Sequence, residues 1–353
     1  MEDKARAAAR HFALDGEARS VEPYGSGNIH DTFRVSCGRR YILQRLSLGM
    51  VADPRPYIEN SRKVMAHLRA KVDEPRRRLT AVDAADGRGY WQDEDGAFWR
   101  AFDFIEDTVS RDVIDTPEQA GEAAKAFGFF SNCMKDLPPR DFAAPLPHFH
   151  DTPKRFLMFE RALANDEKNR AADAKSEVEF ALARKDLSGV LVAFQERGDI
   201  PERIVHNDTK VNNVLFDAAS GEGMCVVDLD TVMPGLVLYD FGDLVRSAVS
   251  DTAEDERDLS RVGVRMPVYA ALARGFLEAK GGISRLEQDY MAFSAKLIAL
   301  ELGMRFLTDY LNGDVYFKTV RPEQNLDRCR AQFALARDIE RKEEAMSRIV
   351  EGM

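Results

Sequence analysis

Cysteine is scarce in this chain: four residues in 353, Cys37, Cys133, Cys225 and Cys329, with no C-x-x-C pair. Neither a disulfide framework nor a zinc-thiolate site is expected, and all four read as packed thiols. An excess of positive charge is also lacking. Fifty Lys and Arg stand against 60 Asp and Glu, a formal net charge of -10, and no basic stripe is interleaved with aromatics. That pattern argues against nucleic acid as a partner. No run approaches the roughly 18 apolar residues of a membrane span, and the opening M-E-D-K-A-R-A-A-A-R has no apolar core of a signal peptide. Neither membrane insertion nor secretion is expected, and the expected location is cytoplasmic. Internal repeats and low-complexity tracts are missing too. At 353 residues the chain exceeds what a single core usually serves, so two lobes around a small-molecule site are expected.

The most informative stretch is I-V-H-N-D-T-K-V-N-N-V-L-F-D, with M-C-V-V-D-L-D shortly after it, spanning 204–230. His206, Asp208 and Asn213 have the spacing H-x-D-x-x-x-x-N of a kinase-type catalytic loop, in which the Asp takes the proton of the acceptor hydroxyl and the Asn holds a metal ion. Two apolar strands, at 213–216 and 224–227, form a hairpin that delivers Asp228. Asn213 and Asp228 then offer the hard oxygen ligands that Mg²⁺ and a triphosphate need. A purely structural reading would make these residues strand caps, but the polar D-T-K-V-N-N leading into the hairpin is a poor packed connection.

Upstream, G-S-G-N-I-H-D-T-F-R-V-S-C-G-R-R-Y-I-L-Q-R reads as strand, Gly-rich turn, strand, turn and strand. Gly25, Ser26 and Gly27 could let backbone amides approach phosphates, although a plain hairpin turn explains the same residues. The third strand should carry a cation for the α- and β-phosphates, and it offers Gln44 and Arg45. Gln44 takes the position of the usual Lys, while alternation turns Arg45 to the opposite face. Further strands are expected at 79–82, 89–92 and 97–105, with the lobe hinge at 102–106 presenting Phe104 and Ile105 to a nucleotide base. Helices are expected at 4–12, 57–68, from Thr116 onward, and at 154–163, 176–196, 244–249, 268–279, 283–311 and 322–350, with 166–175 polar enough for a mobile loop. Glu59 could meet the strand cation or could simply be a solvated helical charge. His148 and His150 are spaced as a metal pair, but no third His or Cys lies near them, which favours a loop role. The triplet Asp240-Phe241-Gly242 mimics the D-F-G metal motif of protein kinases, but it is expected in a loop ahead of a helix, and Asp228 is the better metal ligand.

Taken together, H-N-D-T-K-V-N-N-V-L-F-D, V-V-D-L-D-T-V-M-P-G-L-V-L-Y-D-F-G-D, G-S-G-N-I-H-D-T-F and E-L-G-M-R-F-L-T-D-Y-L-N-G-D-V-Y-F-K resemble the aminoglycoside phosphotransferase and choline kinase superfamily. Within it they are most similar to bacterial N-acetylhexosamine 1-kinases. The resemblance implies an α+β, two-lobed, protein-kinase-like fold. Its nucleotide-binding lobe, built on an antiparallel sheet, would occupy residues 1–106, and a mainly helical lobe with the catalytic loop and acceptor site would occupy 107–353. It also implies Mg²⁺ as cofactor, ATP as co-substrate, a small sugar as acceptor, and a monomer or weak dimer. Asp208 would be the catalytic base, with Thr209, Asp230, Arg305 and Tyr316 as sugar-contact candidates. Without the resemblance, Arg305, Asp309 and Tyr316 would read as a salt-bridged helix end with a packed Tyr. A superfamily kinase acting on a choline-like amine, a homoserine-like alcohol or an aminoglycoside is the alternative, and a non-catalytic binding module would follow only from Gln44.

Overall fold

The computed structural model describes residues 1–25, 30–47 and 53–353. The expectations for Ser26 and Gly27 therefore fall outside the described residues. Strand alternation builds the N-terminal part. In β2 (Asp31–Cys37) and β3 (Arg39–Arg45), Phe33, Val35, Cys37, Tyr41 and Leu43 share one face. A third strand, β6 (Phe98–Asp103), extends that face with Trp99 and Ala101. Helix α1 (Glu2–Ala9) covers it with Ala5, Ala8 and Ala9. Among the described residues the antiparallel order is β1 (Ser20–Pro23), β2, β3, β6 and β4 (Ala81–Val82), with β5 (Trp91–Gln92) also paired to β6. The strands expected at 79–82, 89–92 and 97–105 are present but shorter. A tight turn, in which the Ala84 N–H donates to the Arg88 carbonyl at 2.8 Å, draws the chain out of the ladder between them.

The other face of this sheet has a different partner. Ile42 and Phe102 join the large C-terminal core together with Val64, Met65 and Leu68 of α2 (Arg55–Lys71). Buried Asn60 fixes α2 there by donating to the carbonyls of Ala143 and Val232, at 2.9 and 3.0 Å. Its neighbour Glu59 is exposed, so the solvated alternative for that carboxylate is the one observed.

After β7 (Thr108–Ser110) the chain turns helical, with α3 (Pro117–Cys133), α4 (Thr152–Asn165), α5 (Lys175–Leu182) and α6 (Val190–Arg197). Thr116 caps α3 as expected, its hydroxyl accepting the Gln119 N–H at 3.3 Å with Pro at the first position. A three-stranded sheet of β7, β9 (Val214–Asp217) and β10 (Gly223–Val226), and the pair β8 (Arg203–Val205) with β11 (Met233–Gly235), interrupt the helices. Then come α7 (Val237–Ala248), α8 (Met266–Lys280), α9 (Arg285–Asp289), α10 (Met291–Asn312) and α11 (Gln324–Glu351). The architecture is α+β and kinase-like, an antiparallel sheet followed by a helical region.

Several expected elements need correction. The helix read over 176–196 is two, because Arg184 leaves helical geometry (φ -116°, ψ 14°) and the Ser188 hydroxyl turns back to the Lys185 carbonyl at 2.6 Å. That read over 283–311 breaks at Tyr290 (φ -102°, ψ 7°), after a Ser284–Glu287 capping box has started α9. Apolar periodicity continues across both breaks, which is why it cannot reveal them. Helix α7 starts at Val237, so Asp240-Phe241-Gly242 lies in its first turns and not in a loop. The 166–175 segment is anchored, since Arg170 reaches the Tyr310 carbonyl at 2.8 Å and the Asp314 carboxylate at 2.6 Å.

Helices α3 and α8 pack closely through glycine. A Cβ at Gly275 would stand 2.4 Å from the Gly121 carbonyl oxygen, and one at Gly128 would stand 2.7 Å from that of Phe276. Backbone cannot yield as a flexible side chain would. We expect Gly275→Ala to cost about 1–3 kcal/mol by overpacking, despite the better helix propensity of Ala. Gly189→Ala, with nothing within 4 Å of the added carbon, should carry no such packing cost. Urea denaturation of the two variants checks the contrast.

Candidate active site

The catalytic-loop segment follows β8 and is held from beneath by α7. Asp240, 2 % exposed, accepts the backbone N–H of His206 at 2.9 Å and of Asn207 at 2.7 Å. Burial pushes its carboxyl up, while His206 and the two N–H donors pull the other way. Asn207 adopts φ +64°, a left-handed turn that Asn tolerates better than most residues, and so throws Asp208 outward. The His206 ring is wedged edge-on against Phe127 and Phe130, at centroid distances of 5.5 and 5.6 Å. Its Nδ1 accepts the Asp208 N–H at 3.3 Å, which leaves Nε2–H to donate to the Val227 carbonyl at 3.0 Å. One imidazole thus ties the loop to the strand end that precedes Asp228. Gly242 serves packing, since a Cβ there would lie 2.6 Å from the Ser294 carbonyl oxygen of α10.

The structure brings Asp208, Asn213 and Asp228 together. Asn213 Nδ2 donates to the Asp208 carbonyl at 2.9 Å and to its carboxylate at 3.2 Å, leaving the amide oxygen available. Its own carbonyl accepts the Val227 N–H at 2.9 Å. Asp228 stands at φ +59°. Burial pushes its carboxyl up, and the carboxylates of Asp230 and Asp208 push it further, against the pull of Arg100 and His30. Among the described residues no hydrogen bond reaches the Asp228 carboxylate, and no cluster of three or more His, Cys, Asp or Glu could by itself hold a metal ion. This donor set fits Mg²⁺, which binds through one or two protein oxygens while phosphates and water complete its shell.

On the sheet side, the register sets Gln44 directly opposite Arg100 of β6. Arg100 is 5 % exposed and was not legible as a site residue. Its Nε donates to Gln44 Oε1 at 2.9 Å, and both of its terminal nitrogens lie on the Asp230 carboxylate, Nη2 at 3.0 Å from Oδ2 and Nη1 beside Oδ1. His30 Nε2 adds a contact to the same carboxylate at 2.7 Å. Burial would raise the Asp230 carboxyl, but Arg100 and His30 hold it well below the usual carboxylate range. Arg45 faces the other way, paired with Trp99 in register and with Asp31 at 3.3 Å, so it does not share the face of Gln44. Phe104 N–H donates to the Arg40 carbonyl at 3.2 Å, and its ring meets Tyr24 edge-on at 5.5 Å, next to Gly25 at φ +80°. Ile105 is buried, its carbonyl accepting the Thr108 hydroxyl at 2.8 Å.

A third group surrounds Arg305. The Asp309 carboxylate accepts the N–H groups of Val315, Tyr316 and Phe317 at 3.0, 2.7 and 2.9 Å, shaping the loop after α10. It is therefore not the ion-pair partner of Arg305. That guanidinium donates to the Tyr316 hydroxyl at 3.2 Å and lies over the rings of Phe149, Tyr316 and Phe317. His150, buried, joins this group to the loop, with Nδ1 at 2.8 Å from Glu301 and Nε2 donating to the Asn207 carbonyl at 3.3 Å. Thr209 needs correction as a sugar-contact candidate. It is fully buried, its hydroxyl spent on the Asp240 carbonyl at 2.6 Å. Tyr57, missed in the sequence, faces the same region from α2, its hydroxyl pushed up by burial and by Asp230 and Tyr316.

Two outcomes follow from these carboxylates. Asp240→Ala strands two buried N–H donors, so about 2–6 kcal/mol of stability should be lost, read by denaturant titration, with the folded fraction still binding nucleotide. Asp228 behaves in the opposite sense. Its raised folded-state pKa is a penalty present at neutral pH and relieved as pH falls, so Asp228→Asn should raise the melting temperature in EDTA. Mg²⁺-induced stabilisation should vanish in that variant, and in the parent it should fade on acidification at higher pH than for an ordinary carboxylate.

The chain matches the model of the phosphotransferase enzyme family over residues 20–281. In solved structures it is similar to a microcompartment-associated aminopropanol kinase, at 15 % identity and TM-score 0.64, with 98 % of each chain covered. It is similar also to an aminoglycoside phosphotransferase from Alicyclobacillus acidocaldarius, at 13 % identity and TM-score 0.65, covering 98 % of this chain and 96 % of that one. A third similar structure is the amicoumacin kinase in complex with AMP-PNP and Ca²⁺, at 13 % identity and TM-score 0.62, covering 97 % and 93 %. With the match extending from β1 to the end of α8, the chain belongs to the phosphotransferase enzyme family.

Proposed function

We propose that the protein transfers the γ-phosphoryl group of ATP to the anomeric hydroxyl of an N-acetylhexosamine, N-acetylglucosamine or N-acetylgalactosamine, giving the 1-phosphate. The observation that carries the acceptor class is the aromatic surround of Arg305. Lys210 Nζ lies 3.6 Å from Asp208, whose carboxylate raises the Lys210 pKa, while buried Arg246 is paired with Asp243 at 2.8 Å and Glu254 at 3.8 Å. Arg305 lies over the rings of Phe149, Tyr316 and Phe317 and donates to the Tyr316 hydroxyl. Such a group suits a neutral ring with apolar faces and many hydroxyls. The hinge at 102–106 and the division near residue 106 belong to the same proposal, with Phe104, Ile105 and Gly25 on the nucleotide side.

Asp208 accepts the proton as the sugar oxygen forms its bond to the γ-phosphorus and the bond to the ADP oxygen breaks. Its orientation comes from Asn213, from Lys210 and from the turn at Asn207. Mg²⁺ held by Asn213 and Asp228 would supply charge neutralisation on the triphosphate. Arg305 and Tyr316 read the sugar ring.

Positioned base catalysis contributes about 10² to 10⁴ in rate, so Asp208→Asn should lower turnover by that order while ATP binding survives. Equal turnover in variant and parent would remove Asp208 from the mechanism. If polar groups are matched to the acetamide, a sugar lacking it leaves them unpaired at about 1–3 kcal/mol each, and discrimination of roughly tenfold or more follows. Phosphorus and proton NMR of products from the two acetamido sugars, glucose, galactose, ethanolamine and an aminoglycoside tests this. A phosphate on C6, faster turnover of plain hexoses, or turnover confined to the amines would overturn the acceptor assignment.

A further inference from the structure

Resting on the kinase reading, we propose that Arg100 is the nucleotide-phosphate cation of this chain, moved from β3 to the adjoining strand β6, with Gln44 and Asp230 as its positioning residues. The position on β3 where a Lys would project carries Gln44, an amide with no charge. Strand register places Arg100 directly across from it, on the same face by alternation. The amide of Gln44 is itself oriented, because its Nε2 donates to Thr32 Oγ1 at 3.2 Å and so turns Oε1 to Arg100 Nε at 2.9 Å. With Nε fixed, the guanidinium plane can only project one way, and it projects onto Asp230, two residues beyond Asp228.

The donor count leaves room for a ligand. A guanidinium has five N–H groups in a rigid fork. One is used on Gln44 and one from each terminal nitrogen on Asp230, so among the described residues two remain. Asp230 is two residues beyond Asp228, so the Arg100–Asp230 pair stands on the segment expected to take Mg²⁺ and phosphate oxygens. A buried Arg with a single carboxylate partner balances in charge. His30 on the same carboxylate further fixes Asp230, so Arg100 does not depend on phosphate to stay in place. This is the task that an ion-paired Lys performs in kinase-like sites, done here by a fork that grips two oxygens at once.

Calorimetric titration with ATP, with ADP and with adenosine, each with Mg²⁺, tests the assignment on the full chain. Arg100→Gln should weaken ATP and ADP binding by about 10- to 100-fold, the range of a charge-assisted hydrogen bond. Adenosine, which has no phosphate, should bind as before. Adding Gln44→Lys to Arg100→Gln should recover most of the lost ATP affinity, because the new ammonium stands across the ladder from the lost guanidinium and within the same field of Asp230. Unchanged ATP binding in Arg100→Gln overturns the proposal, as does an equal loss for adenosine, which would mark a structural role. If the single variant fails to fold, the folded double variant decides: near-parental ATP affinity supports the proposal, and its absence overturns it. A parent chain that binds no ATP would instead overturn the kinase reading itself.

Discussion

The guanidinium of Arg100 on the carboxylate of Asp230 is the contact on which the site depends, because it spans from the N-terminal sheet to the segment that carries Asp228. Two charges taken out of water are costly, and their attraction compensates only when the remaining polar atoms are satisfied. Gln44 on one side and His30 on the other meet part of that condition, and the two remaining N–H groups of Arg100 are those assigned to the nucleotide phosphates. The same pair sets the electrostatics nearby. It keeps Asp230 ionised, and burial together with Asp230 and Asp208 raises Asp228 against the pull of Arg100 and His30, beside an available amide oxygen on Asn213. A divalent cation is the chemical species that such a group favours.

Beneath this lies a second buried carboxylate with a different task. Asp240 projects from the first turns of α7 and organises backbone N–H groups instead of charges, so the loop geometry is inherited from a helix packed in the core. Helix α10 acts in parallel on the proposed acceptor side. Glu301 holds His150, which grips the Asn207 carbonyl, while Arg305 and Asp309 on the same helix build the aromatic group and the loop after it. Asp208 is thus fixed from α7 below and from α10 beside it, and both helices are core elements.

Much of this was legible in the chain. Alternation over 31–45 specified the strands and which side chains share a face, and the polar run before Asn213 marked the loop. Other features were not legible, for physical reasons. Arg100 is meaningful only through its register with Gln44, and register is a property of pairing that no local pattern encodes. The resemblance makes Thr209 a sugar-contact candidate, yet its hydroxyl is drawn inward to the Asp240 carbonyl, a burial that no local pattern encodes. Pro234 and Gly235 ahead of the D-F-G triplet read as a loop. Those two residues form β11 against β8, and the helix starts directly after.

Under the proposed function, Asp208 as base and Asn213 with Asp228 as metal ligands make a site for a single direct displacement at phosphorus. The most direct measurement uses ATP made chiral at the γ-phosphorus with oxygen isotopes, followed by stereochemical analysis of the sugar 1-phosphate. Direct transfer from ATP to the hydroxyl oriented by Asp208 predicts inversion at phosphorus. Retention, the outcome of two successive displacements through a phosphorylated side chain, would contradict it.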